Sequence, residues 1–95
     1  MLARDPADAT AYHSLGVVLM RNGRHEEAVV AYRQSLRYRP NFGPTFFNLS
    51  YALTDGKRLT EARAACEQAV RLLPNDPGPR RELARIARMG GSVRV

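Results

Sequence analysis

The chain has 95 residues, of which 44% are hydrophobic and 25% are charged, and its net charge is +6. This length accommodates one small domain, and the hydrophobic content excludes a chain that is disordered for lack of apolar residues. No apolar run approaches the ~18 residues of a membrane span, and a single cysteine, Cys66, excludes an internal disulfide.

The spacing of apolar residues predicts helices along most of the chain. Tyr12, Leu15 and Leu19 fall at i, i+3 and i+7, on one face of a helix. Gly23 and Gly56 are expected to end the first and third helices, because glycine readily takes the left-handed conformation. The predicted helices cover residues 8–22, 25–38, 43–56, 59–73 and 77–89.

The sequence repeats itself with a period of 34 residues. Pro6, Pro40 and Pro74 are 34 residues apart each time. When residues 9–42 are aligned with residues 43–76 without gaps, ten of the 34 positions hold the same amino acid. Each unit contains two predicted helices, which is typical of a helical repeat protein.

Each unit also shows one pattern of residue types. An aromatic residue, a leucine, a small residue and a large apolar residue come first, followed by a small residue, an aromatic residue, a small residue and a proline. The residues are Tyr12, Leu15, Gly16, Leu19, Ala28, Tyr32, Ser35 and Pro40, then Phe46, Leu49, Ser50, Leu53, Ala62, Cys66, Ala69 and Pro74. This pattern resembles the tetratricopeptide repeat over residues 1–88. The departures are Ser50, Cys66 in an aromatic position, and Gly56 one place early.

The resemblance implies an all-α fold, a right-handed α-solenoid of antiparallel helix pairs with about five helices. The expected organisation is a single domain at 1–89, with repeat one at 9–42, repeat two at 43–76, a capping helix at 77–89 and a flexible tail at 90–95. In the capping helix, Leu83, Ala84 and Ala87 take packed positions of the repeat, and the opposite face is expected to be wet. Residues 1–6 resemble the end of a preceding repeat.

In this family the first helices of successive pairs line a concave groove that takes extended or helical peptides. The resemblance places these residues in the groove: His13, Val17, Met20, Phe47, Asn48, Tyr51, Arg81 and Arg85. Phe47 and Tyr51 are the strongest candidates for a binding hot spot, since Phe46 already supplies the core aromatic residue. The alternative is that a further repeat or a second copy covers both rings.

The side chains in the groove also indicate the kind of partner. Arg81 and Arg85 lie one turn apart and are suited to a carboxylate, so the expected ligand is a protein or peptide with acidic and apolar residues. One subgroup of the family clamps the acidic C-termini of heat-shock chaperones with two lysines, two asparagines and an arginine. Only Asn48 matches that set, so this ligand is rejected. The arginine excess is equally well explained by GC-rich coding.

No combination of residues indicates catalysis. His13 and His25 lie on different predicted helices, and Glu26 and Glu27 fit an exposed helix start, where negative charge is favourable. Cys66 fits a small core residue, because no basic side chain beside it in the sequence would lower the pKa of its thiol. The chain is therefore predicted not to be an enzyme and to bind no metal or cofactor.

Three other readings stay open. The repeats could assist an enzyme domain elsewhere on a longer chain, or self-associate through an uncovered N-terminal face, because two repeats and a cap are fewer than the usual three. Nucleic-acid binding is disfavoured, since the arginines are spread over several helix faces without interleaved aromatic residues. The first five residues lack a signal-peptide layout, so the predicted location is the cytoplasm unless a signal was lost.

Overall fold

The structure, a computed structural model, describes residues 6–91, and all the regular elements in that range are helices. They are α1 (Pro6–Arg21), α2 (His25–Tyr38), α3 (Gly43–Asp55), α4 (Leu59–Leu72) and α5 (Pro77–Gly91). Each helix packs against the next one along the chain. The result is two helix pairs, α1–α2 and α3–α4, with α5 stacked on the second. The predicted all-α stack of five helices is confirmed.

The last helix is longer than predicted. α5 continues through Gly90 and Gly91, which the sequence analysis assigns to the flexible tail. A helix that has already formed gains one backbone hydrogen bond for each residue added, so two glycines do not have to end it. The rest of the predicted tail, 92–95, and residues 1–5 lie outside the described residues. The division into two repeats and a cap stays a prediction.

The turns inside the two helix pairs have the same shape but different residues. Gly23 has a φ of 76°, and the equivalent residue of the second pair, Lys57, has a φ of 64°. The prediction that Gly56 supplies the left-handed residue is wrong, because Gly56 has a φ of −82°. The turn closes when the backbone N–H of Arg58 donates to the carbonyl of Leu53 over 2.8 Å. This hydrogen bond requires a left-handed residue directly before Arg58. Lys57 occupies that position and adopts the conformation although it is not a glycine.

Small side chains allow the paired helices to approach closely. Ala28 and Ala62, at equivalent positions of α2 and α4, are fully buried. Gly16 lies so close to the ring of Tyr32 that a Cβ on this glycine would be 2.7 Å from the ring's Cδ1. Tyr32 is 1% exposed. The absence of a side chain at Gly16 therefore makes the space that the tyrosine fills.

The second pair fills the same space differently. Ser50 and Cys66, both fully buried, replace the glycine and the tyrosine. The hydroxyl of Ser50 donates to the carbonyl of Phe47 over 2.6 Å, and the thiol of Cys66 donates to the carbonyl of Pro79 over 3.2 Å. Ser50 is larger than the glycine of the first pair, and Cys66 is smaller than the tyrosine. The two departures from the family pattern compensate for each other.

Both ends of the stack leave apolar side chains uncovered. Leu15 is 47% exposed and Val18 is 52% exposed, whereas their equivalents in α3, Leu49 and Ala52, are buried. α3 lies between α2 and α4, but α1 has a neighbouring helix pair on one side only among the described residues. The N-terminal face of α1 is therefore apolar and open.

The packed face of α5 matches the prediction only in part. Leu83 is half-buried and packs against the core, but Ala84 and Ala87 are exposed. The described part of the chain has no helix after α5 that could cover them. The residues that α5 buries are Pro79, Glu82 and Ile86.

The contact between Gly16 and Tyr32 gives a stability prediction. We expect Gly16→Ala to lower the free energy of unfolding by ~1–3 kcal/mol, because the added methyl group collides with a buried ring. Gly90→Ala is the control, since a Cβ there has no neighbouring atom within 4 Å. It should leave stability unchanged or raise it by up to about 1 kcal/mol. Urea unfolding measures both, and equal midpoints for the two variants would contradict this packing.

Candidate functional site

The predicted groove residues lie on α1, α3 and α5, the first helices of successive units. Equivalent positions hold His13 in α1, Phe47 in α3 and Arg81 in α5. The structure groups the site residues into two clusters. The α1–α3 cluster contains His13 and Asn48, and the α3–α5 cluster contains Phe47, Tyr51 and Arg85.

The α1–α3 cluster is a hydrogen-bonded contact between helices. Nδ1 of His13 lies 2.8 Å from the hydroxyl of Thr45, and Nε2 lies 3.4 Å from the side-chain nitrogen of Asn48. Because the amide of Asn48 donates to Nε2, the ring proton is on Nδ1 and is donated to Thr45. Burial lowers the pKa of His13 from its ordinary value. The histidine is therefore a neutral link between α1 and α3.

This contact changes the role expected of the α1 residues. The ring of His13 lies 5.6 Å from the ring of Tyr32, so it is enclosed by core side chains as well as hydrogen-bonded. Val17 and Met20 are partly buried and pack against the hydrophobic core. Asn48 is half-buried, and part of its hydrogen-bonding capacity is used by His13. On this side the groove is largely closed by the protein's own contacts.

The α3–α5 cluster is more open. The rings of Phe47 and Tyr51 lie 5.0 Å apart between centroids, tilted by 41°. Tyr51 is 38% exposed, and Phe47 is half-buried. A Cβ on Gly78 would lie 3.1 Å from Cζ of Phe47. The glycine at the start of α5 thus lets the phenylalanine ring rest on that helix.

An ion pair between the buried Glu82 and the exposed Arg85 forms the other side of this cluster. Glu82 is 4% exposed, and its two carboxylate oxygens accept hydrogen bonds from Arg85 at 3.0 and 2.8 Å. Burial raises the pKa of the Tyr51 hydroxyl, and the charge of Glu82 raises it further. The aromatic pair is bordered by a fixed charged group.

The pairing distinguishes Arg85 from Arg81, the other arginine predicted to suit a carboxylate. The guanidinium of Arg85 already holds the carboxylate of Glu82. Arg81 is exposed and has no ion-pair partner within residues 6–91. Only Arg81 of the two is available to a ligand carboxylate.

A network of ion pairs joins the second helices, α2 and α4. Arg58 binds Glu26 at 2.6 Å and Glu61 at 2.7 Å, and Arg33 binds Glu61 at 3.0 Å. The hydrogen bonds from Arg58 and Arg33 lower the pKa of Glu61 to about 2. The charges of these two arginines are therefore balanced by glutamates of the same chain. Glu26, expected to be a solvated helix start, is one of their partners.

Several residues of the site were missed by sequence reasoning. Thr45 is fully buried, yet its equivalent in α1 is Ala11, so the repeat alignment gave no sign of a polar contact. A cavity of about 240 Å³ lies where the starts of α1 and α3 meet the end of α2. Arg39 and Phe42, which line it, belong to the link between repeats, to which the family pattern assigns no groove position.

No helix within residues 6–91 is long and apolar enough to cross a membrane. In the same range, no three histidine, cysteine, aspartate or glutamate side chains are grouped as metal ligands would be.

Family comparisons agree with the helical stack. Models described as tetratricopeptide repeat match residues 9–42 and residues 31–77. The chain belongs to the tetratricopeptide repeat family. Such repeats form protein–protein interaction scaffolds, and typical members of the family are not catalytic.

Two curated proteins are similar to the chain. Protein FlbA of Caulobacter vibrioides is 32% identical over 83 residues, which are 87% of this chain and 13% of that protein. Cytochrome c-type biogenesis protein CycH of Rhizobium meliloti is 33% identical over 82 residues, which are 80% of this chain and 21% of that protein. The chain thus spans about a fifth or less of the curated relatives it matches.

The neutral state of His13 gives a prediction about pH. Its pKa is lower in the folded chain than in the unfolded chain, so the unfolded chain takes up the proton more readily. The stabilising contribution is complete above about pH 6.5 and is lost as the pH falls towards the folded pKa. The free energy of unfolding should therefore fall between pH 7.5 and 5.5, and His13→Gln should reduce this fall.

Urea unfolding at the two pH values checks the prediction. His25→Gln is the control, because it removes the other histidine and leaves the contact between His13 and Thr45 intact. The same pH dependence in His13→Gln and in the unsubstituted chain would contradict the assigned neutral link.

Proposed function

We propose that the chain is a protein-interaction module that binds a peptide segment of a partner protein on the concave surface of α1, α3 and α5. The observation that carries this proposal is the pair of Phe47 and Tyr51. Tyrosine is enriched among the few residues that dominate binding energy at protein interfaces, and Tyr51 is partly exposed beside the ring of Phe47. The family pattern assigns both residues to the peptide groove, and members of the family are interaction scaffolds.

The surroundings of the pair support a peptide with apolar and acidic residues. The rings supply apolar surface, and Arg81 supplies an unpaired cation on the neighbouring helix. We propose no catalytic step and no cofactor within this chain. Its location in the cytoplasm stays the prediction made from the sequence.

Partner capture tests the proposal. The chain is immobilised and exposed to a lysate of its source at about 50 and 200 mM salt, beside a column that carries Phe47→Ala with Tyr51→Ala. Proteins held through the aromatic pair should be retained by the first column at both salt concentrations and lost from the second. Circular dichroism shows whether the double variant is folded, and Tyr51→Ala alone serves if it is not.

Two results would contradict the proposal. Equal capture by both columns would remove the aromatic pair from the function. Retention of nucleic acid that is released between 50 and 200 mM salt would favour binding through the arginines, because phosphate contacts weaken steeply over about that range. Val30→Ala is the matched control, since Val30 is 60% exposed on α2 and lies outside the predicted groove.

A second candidate function is self-association through the N-terminal face. The observation that favours it is the exposure of Leu15 and Val18 on one side of α1. The equivalent of Leu15 in α3, Leu49, is buried, because α3 has a neighbouring helix on that side. A second copy could cover Leu15 and Val18.

Mass measured by sedimentation over a dilution series decides this candidate. If the face self-associates, the mean mass should rise with concentration, and Leu15→Gln with Val18→Gln should abolish the rise. Val30→Gln should not, although it replaces an equally exposed valine. A strict monomer at the highest concentration would exclude the candidate.

A further inference from the structure

A cavity of about 240 Å³ lies beside the groove, at the end of the helices away from the turns. Its walls come from the start of α1, the end of α2, the link between the repeats and the start of α3. The lining residues are Ala9, Thr10, His13, Ser35, Arg39, Phe42 and Pro44. An apolar cavity of about 150 Å³ is large enough for benzene, so this one can hold a leucine or phenylalanine side chain.

The interior of the cavity is suited to an apolar group. Ser35 donates its hydroxyl hydrogen to the carbonyl of Ala9 over 2.7 Å, and Nδ1 of His13 is bonded to Thr45. These polar groups are already satisfied within the protein. Alanine, phenylalanine and proline side chains supply much of the remaining wall. A ligand therefore loses no hydrogen bonds by placing an apolar side chain there.

A cation stands at the edge of this cavity. The guanidinium carbon of Arg39 lies 4.2 Å from the ring centroid of Phe42, which holds the charged group over the ring. Arg39 is exposed, and no carboxylate of residues 6–91 pairs with it. Its N–H groups at the edge of the planar fork are free to bind a carboxylate.

A second, shallower depression continues from the first. It has a volume of about 310 Å³ and is lined by Arg39, Pro40, Asn41 and Phe42. Arg39 and Phe42 belong to both depressions, so the guanidinium stands between them. A peptide that fills the cavity can continue past the guanidinium into the second depression. This favours an internal segment of a partner over the end of a chain.

We propose that the cavity binds a bulky apolar side chain of an internal peptide segment, and that Arg39 binds an aspartate or glutamate next to it in the partner's sequence. This inference rests on the proposed peptide-binding function and adds a determinant of specificity to it. The determinant lies apart from the pair of Phe47 and Tyr51 and uses the link between repeats.

Nuclear magnetic resonance titration of the ¹⁵N-labelled chain tests the inference with small probes. The first probe is the tetrapeptide Ala-Leu-Asp-Ala, acetylated and amidated. Matched probes carry Asn for Asp, or Ala for Leu, and a fourth, acetyl-Ala-Leu, has a free terminal carboxylate. The Leu-Asp probe should shift the amide signals of Thr10, His13 and Phe42. It should bind roughly three- to tenfold more tightly than the Leu-Asn probe.

Two arginine variants separate the cation from general charge. Arg39→Gln should make the Leu-Asp and Leu-Asn probes bind equally and preserve the preference for Leu over Ala. Arg37→Gln is the matched control, because Arg37 is an exposed arginine in the last turn of α2, two residues before Arg39, and does not line the cavity. It should keep the preference for Asp.

Four results would overturn the inference. The first is an absence of shifts at the cavity, and the second is equal binding of the Leu-Asp and Leu-Asn probes by the unsubstituted chain. The third is an equal loss of the preference for Asp in Arg37→Gln and Arg39→Gln. The fourth is that the probe with the free terminal carboxylate binds most tightly. Shifts confined to Phe47 and Tyr51 would overturn this inference and leave the proposed function standing. If partner capture does not depend on those two rings but the probes still bind in the cavity, the role of the aromatic pair is overturned and this inference stands.

Discussion

The close approach of the two helices in each pair is the constraint on which the rest of the structure depends. It requires that side chains facing each other across a pair are matched in size, so that a large one meets a glycine or two small ones meet. Gly16 with Tyr32 meets this requirement in the first pair, and Ser50 with Cys66 meets it in the second. Because the sequence repeats every 34 residues, α1, α3 and α5 hold equivalent positions of successive units. The proposed groove depends on that packing.

The groove repeats in geometry but not in chemistry. Between α1 and α3, His13 uses both ring nitrogens to join the helices, so that part of the surface is closed by internal hydrogen bonds. Between α3 and α5, Phe47 and Tyr51 stay partly exposed beside the ion pair of Glu82 with Arg85. This difference leaves the paired aromatic rings available between α3 and α5. It explains why the proposed peptide contact is centred on α3.

The sequence predicts the helices well because the 34-residue period and the apolar spacing depend on local geometry and packing that every repeat shares. It does not predict which hydrogen bonds the neighbouring helices use. The spacing of Glu82 and Arg85 allows an ion pair, but it does not show that the carboxylate is buried, and the sequence gives no sign of the bond to His13 because its partner Thr45 has no polar equivalent in the first repeat. The left-handed residue Lys57 was missed for a related reason, since the closure of a turn fixes its backbone whether or not a glycine is present. The cavity beside Arg39 lies in a link that the repeat pattern does not describe.

The central claim is that a partner contacts the aromatic pair of α3. The most direct test is to record the ring signals of a ¹³C-labelled chain before and after addition of a protein captured by the immobilised chain. The account predicts that the signals of Phe47 and Tyr51 shift. The rings of Tyr12 and Tyr38, which stack 5.9 Å apart between α1 and α2, should not shift and serve as an internal control. Shifts at Tyr12 and Tyr38 without shifts at Phe47 and Tyr51 would contradict it.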